Sequence, residues 1–101
     1  MTDKIINVAI IGGGAEAIPI IRTLVTLPTF KLLGVADENK DAPALGVARE
    51  LGINTGLSFS ELASHKDLNL VIELSGSGYF AKTLENIVPS GVKVMDDVSA
   101  R

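Results

Sequence analysis

The stretch "IIGGGAEAIPII" (residues 10–21) decides how the chain is read. An apolar run over residues 5–11 enters three consecutive glycines, and apolar residues at helical spacing leave them. A near-continuous apolar run suits a strand covered on both faces. Ala17, Ile20, Ile21 and Leu24 recur at spacings of three and four, which predicts a helix over 15–27 stopped by Pro28. Gly12, Gly14 and Ala17 satisfy the pattern G-x-G-x-x-A. The first position permits a tight turn out of the strand. The second lets the backbone approach a pyrophosphate, and the third lets helix and strand pack closely. N–H groups of the first helical turn, with the helix dipole, favour an anion at that point.

Strand and helix alternate through the rest of the chain. "FKLLGVAD" (30–37) reads as a second strand. A helix over 42–51 turns Ala44, Leu45, Ala48 and Leu51 inward, with Gly52 just past its end. A short third strand is expected over 53–55. "SFSE" (58–61) is a capping-box pattern for a short helix ending near Ser64. "LNLVIEL" (68–74) is a fourth strand, 77–88 a helix presenting Phe80, Leu84, Ile87 and Val88, and "VKVM" (92–95) a fifth strand after the turn Pro89-Ser90-Gly91. The pattern predicts one α/β domain over 1–101: a three-layer, doubly wound parallel sheet of Rossmann-like type, with five strands in the order 3-2-1-4-5. A ligand crevice is then expected at the carboxyl ends of strands one and four, where the strand order reverses.

Composition bounds the function. With 101 residues, 47% of them hydrophobic and 21% charged, the chain suits one globular domain rather than a disordered segment. Net charge is −3 with no basic stripe, which argues against a nucleic-acid partner. The absence of cysteine removes disulfides, thiolate catalysis and zinc–cysteine sites, and a reducing cytoplasm fits. No apolar run is long enough to span a membrane, and the N-terminus does not resemble a signal peptide.

Asp37 ends the second strand twenty residues beyond Ala17. A carboxylate there accepts hydrogen bonds from ribose hydroxyls and repels a 2′-phosphate, so it favours NAD(H) over NADP(H). The candidate cofactor contacts are Gly12, Gly13, Gly14 and Ala15 in the loop, Asp37 and Glu38 after the second strand, and Ser75 and Gly76 after the fourth. Glu16 opposes this reading unless its side chain faces solvent. Beside a pyrophosphate it repels, whereas in an unliganded first turn it stabilises the helix through the dipole. Pro19 is tolerable at the edge of the first turn. The bland alternatives stay open: a ligand-free turn for the glycines, a solvated strand end or turn cap for Asp37, and a flexible turn with a serine cap on the next helix for the serine loop. Glu73 is a costly carboxylate inside a covered strand, and either a crevice-facing role or a frayed strand end accounts for it. His65 reads as a solvated loop residue. Asp96 and Asp97 are adjacent on a strand and point to opposite faces, so they form no catalytic pair. No metal site and no catalytic residue is assigned.

With these residues in view, "VAIIGGGAEA", "KLLGVADEN", "SFSELASHKDLNLVIELSG" and "GVKVMDD" resemble the N-terminal NAD(P)-binding domain of the glucose–fructose oxidoreductase/inositol dehydrogenase family. The resemblance covers nearly the whole chain. It implies cofactor contacts at Gly12, Gly14, Asp37 and the Ser75–Gly76 loop. In that family the fifth strand leads into a Glu-Lys-Pro motif whose lysine assists hydride transfer. Here Met95-Asp96-Asp97 stands there, no lysine follows, and the second, substrate-binding domain is missing. "NVAIIGGG", "LLGVAD", "LVIELSG" and "VMDDVSAR" also resemble a Rossmann-like module found at the N-terminus of some bacterial sensor histidine kinases.

Three functions follow as expectations. The first is a sensory or regulatory module that binds a small-molecule nucleotide and acts on a downstream domain of a longer chain. The second is the cofactor half of an NAD-dependent dehydrogenase. The third is a vestigial scaffold or dimerisation domain that binds no nucleotide, a homodimer through an edge strand or outer helix being one form of it.

Overall fold

The chain runs β1 (Ile6–Ile11), α1 (Ala17–Thr26), β2 (Phe30–Ala36), α2 (Pro43–Glu50), α3 (Phe59–Ala63), β3 (Leu70–Glu73) and β4 (Lys93–Asp96) in a computed structural model, which describes residues 4–74 and 86–96. Every strand pairing is parallel, and the order is β2-β1-β3-β4. The α/β class and the parallel sheet are as the sequence implies.

The expected five strands and the order 3-2-1-4-5 are corrected to four described strands. The segment expected as a third strand, 53–55, touches the sheet through one backbone bond, from Val35 N–H to the Asn54 carbonyl at 3.0 Å. Its two ends explain why no ladder grows. On one side α2 closes in a Schellman motif: Gly52 takes φ 77°, its N–H donates to the Arg49 carbonyl, and Ile53 N–H donates to the Ala48 carbonyl. On the other side the Asn54 side chain accepts from Gly56 N–H at 2.8 Å and turns the chain away. Too few residues lie between to pair. The observed order is what 3-2-1-4-5 leaves when its third strand is struck out. Of the helix expected over 77–88, only residues 86–88 are described.

The sheet is covered on both faces, as the unbroken apolar run of β1 requires. Ala9 and Ile11 pack with Ala36, Leu62, Ala63, Leu68 and Val71 on the α3 side, which Ile87 and Val88 also join. Ile10 packs with Ala17, Ile21, Val35, Ala44, Leu45 and Ala48 on the side of α1 and α2. Ile10, Ile21 and Leu62 are fully buried, each contributing about 1.5–3 kcal/mol of transfer free energy.

Register is not uniform. Val8 pairs with Leu32 but Ala9 with Gly34, so β2 bulges by one residue at Leu33. Gly34 is needed there. A Cβ on it would come within 3.0 Å of both the Asn54 carbonyl oxygen and Leu62 Cδ1. The bulge thus seats the 53–55 segment and α3 against the end of β2 that carries Ala36 and Asp37. Leu27 is extended (φ −98°, ψ 116°) after α1, as a residue before proline should be. No helix among the described residues is long and apolar enough to cross a membrane.

Candidate functional site

The glycine turn is held by bonds from three directions. Gly12 adopts φ 107°, a conformation open to glycine, and its N–H donates to the Ala36 carbonyl at 2.8 Å. Gly13 N–H donates to Asp37 Oδ2 at 2.6 Å, while its carbonyl accepts from Ala44 N–H at 2.8 Å. A Cβ on Gly13 would stand 3.2 Å from Ala42 Cβ and 3.4 Å from Leu45 Cγ. The turn is therefore fastened to the end of β2 and to the start of α2. Asp37 is the fastener. Its other oxygen accepts from Asn39 N–H at 2.8 Å, so the carboxylate holds both the glycine turn and the chain leaving β2.

The helix after the turn starts later than the expected residue 15. Ala17 and Ile18 donate to the carbonyls of Gly14 and Ala15, tight i→i+3 bonds of the kind that begin many helices. Glu16 stands at the N-cap in a helical conformation and its side chain makes no cap bond. The N–H groups of Gly14, Ala15 and Glu16 have no hydrogen-bond partner among the described residues. Pro19 is the third helical residue, where its missing N–H leaves nothing unmade.

Glu16 is exposed, but it does not face away from the turn. A Cβ built on Gly14 would lie 2.6 Å from Glu16 Oε2 and 2.8 Å from Oε1. The carboxylate is folded back over the bare side of Gly14. In the dinucleotide pattern that bare side is the space left for the pyrophosphate.

Beside the turn opens a cleft of about 350 Å³, within the range of small-molecule sites. It is lined by Ile11 and Gly12 at the end of β1, by Ala36, Asp37 and Glu38 at the end of β2, and by Leu57, Ser58 and Phe59 at the start of α3. It lies at the carboxyl ends of β1 and β2 and the start of α3. Residues 75–85, which follow β3 on the other side of the expected crevice, fall outside the described residues. Gly12, Asp37 and Glu38 line the cleft; Gly13 is buried behind it, and Gly14 and Ala15 lie further along the turn. Ser75, Gly76 and Asp97 fall outside the described residues.

Leu57 and Phe59 were not legible as wall residues. The "SFSE" pattern marks a helix start, and only the packing of α3 brings that start over Asp37. Ser58 and Glu61 do form the capping box: Glu61 N–H donates to Ser58 Oγ at 3.2 Å, and Ser58 N–H donates to Glu61 Oε1 at 3.0 Å. These bonds, the one from the Ser58 backbone foremost, hold the Glu61 carboxyl below its ordinary value of 4.5.

Other polar residues lie apart from the cleft. Glu73 is buried on the Val71 face of β3, in register with Ile11 and Asp96, and does not line it. His65 Nδ1 accepts from Asp67 N–H at 3.1 Å, a local turn bond. The described residues contain no cluster of His, Asp and Glu suited to a metal ion. Comparison of the chain with protein-family models, with curated proteins and with solved structures finds no match.

Proposed function

We propose that the chain is a Rossmann-like nucleotide-binding module whose cleft receives the ribose and base of an adenine nucleotide, with NAD(H) the first ligand to test and NADP(H) the second. The supporting observation is the cleft itself, lined by the acid Asp37 and by the apolar residues Leu57 and Phe59. Each Asp37 oxygen accepts one backbone N–H and retains a further lone pair for a ribose hydroxyl. Glu38 adds a second acid to that lining, so a 2′-phosphate would be repelled. In a larger signalling protein, ligand would bias an output domain to the extent that it favours one of that domain's states. The sensory role, in preference to the dehydrogenase half, rests on Met95-Asp96-Asp97 standing where the resembled oxidoreductase family carries Glu-Lys-Pro.

One observation favours a second reading, a scaffold that binds no nucleotide: the Glu16 carboxylate against Gly14. Calorimetric titration with NAD⁺, NADH and NADP⁺, with thermal shift alongside, separates the two. Ligand at a hundred times its dissociation constant should add about 2.7 kcal/mol of stability. Saturable binding that is lost in Asp37→Ala supports the proposal. Binding that survives Asp37→Ala unchanged would place the site elsewhere, and no binding to the wild type would favour the scaffold.

A further inference from the structure

We infer that Glu16 sets the specificity of this cleft, weakening ligands with a 5′-phosphate relative to nucleosides whose 5′ substituent is neutral or cationic. The inference rests on the cleft being a nucleoside site and narrows the class of ligand it takes. Three observations carry it. The space that a glycine at position 14 leaves open for phosphate is filled by the Glu16 carboxylate, both oxygens of which approach the Gly14 Cα from its side-chain direction. The acids Asp37 and Glu38 stand on the cleft wall, and none of its described lining residues is a lysine or arginine. The arginine on α2, Arg49, is engaged elsewhere, with Nε donating to Thr55 Oγ1 and Nη2 to the Lys40 carbonyl.

A ribose whose hydroxyls meet Asp37 directs its 5′ carbon toward the glycine turn in this strand–turn–helix arrangement. The substituent at that carbon then meets Glu16. A phosphate brings negative charge against a carboxylate, and none of the described residues lining the cleft is basic to offset it. A hydroxyl can donate to the carboxylate, and an ammonium group forms a charge-assisted bond. The turn's own N–H groups attract anions, but the Glu16 carboxylate already stands over the Gly14 side of that turn.

The test uses four probes: adenosine, 5′-amino-5′-deoxyadenosine, AMP and NAD⁺. Each is titrated calorimetrically into the wild type and into Glu16→Gln, with melting temperatures confirming that the variant is folded. The expected order for the wild type is aminoadenosine tightest, adenosine next, and AMP and NAD⁺ weakest, about tenfold or more below adenosine. Glu16→Gln should tighten AMP and NAD⁺ by about tenfold and weaken the amine, while adenosine is unchanged. Raised ionic strength should compress the wild-type spread, because Glu16 is exposed. If adenosine binds but AMP or NAD⁺ binds as tightly, or if Glu16→Gln leaves the ratio of AMP to adenosine unaltered, this inference fails and the nucleoside site stands. If no probe binds either protein, the nucleoside site fails and the inference with it.

Discussion

Two helices in this small domain begin in opposite ways. At the start of α3, Ser58 and Glu61 exchange side-chain and backbone bonds in a closed capping box. At the start of α1, the residue in the capping place is also a glutamate, but its side chain caps nothing, and three successive N–H groups lack partners among the described residues. Open helix starts are less stable than capped ones. The difference shows that a helix terminus can be closed by its own side chains or left open, with the turn before it held by a distant residue. α3 spends its polar groups on its own start. α1 relies on Asp37, twenty-four residues from Gly13, to hold the turn in front of it.

The comparison is most easily broken at Asp37. Asp37→Ala removes the acceptor of both the Gly13 and Asn39 bonds. The expected loss is about 2 kcal/mol in urea unfolding, since bonds to a charged acceptor exceed neutral ones. Asp37→Asn, which keeps one carbonyl acceptor, should recover part of it. An unchanged midpoint for Asp37→Ala would mean the turn is held by the Ala36 and Ala44 bonds alone.

Ser58→Ala opens the closed start. The expected cost is about 1 kcal/mol by the same measurement. Glu16→Ala, the parallel change on α1, should move stability far less because Glu16 makes no cap bond. Equal losses would erase the contrast between the two starts.

Acid should weaken the start of α3. The folded state holds the Glu61 carboxyl below its ordinary 4.5, so its contribution is complete above that value and fades as pH falls through the lowered one. Wild type and Glu61→Gln should therefore differ in stability near neutrality and converge in acid. A gap that stays constant across that range would mean the capping bond has no ionic component.

The smallest effect is expected at Gly14. Its φ is not positive, and a methyl group would meet only the far end of the flexible Glu16 side chain. Gly14→Ala should change stability by a few tenths of a kcal/mol while displacing the carboxylate. The same change at Gly12, held at φ 107°, should cost about 1 kcal/mol or more. Near-equal costs at the two glycines would show that the Gly14 side of the turn is as constrained as the Gly12 side.

Much of this architecture follows from interactions within a few residues, and so it is legible along the chain. The apolar run of β1, the three-and-four spacing of α1, the glycine after α2 and the Ser58–Glu61 box are local patterns with local causes. Gly12's turn belongs with them. Helix ends were less legible: α1 starts at Ala17 rather than residue 15, because the turn closes first through the Gly14 and Ala15 carbonyls.

Sequence alone determined that strands and helices alternate, that the sheet is parallel, and that an acid follows the second strand at the distance a nucleotide site would use. Tertiary structure decided the rest. It withheld a strand at 53–55, placed Leu57 and Phe59 in one cleft with Asp37, turned that acid onto Gly13, and folded Glu16 over Gly14. The physical reason is range. Caps, turns and amphipathic faces are set by neighbours within a helical turn, whereas a cleft wall or a carboxylate's direction depends on residues that meet only after the sheet has assembled.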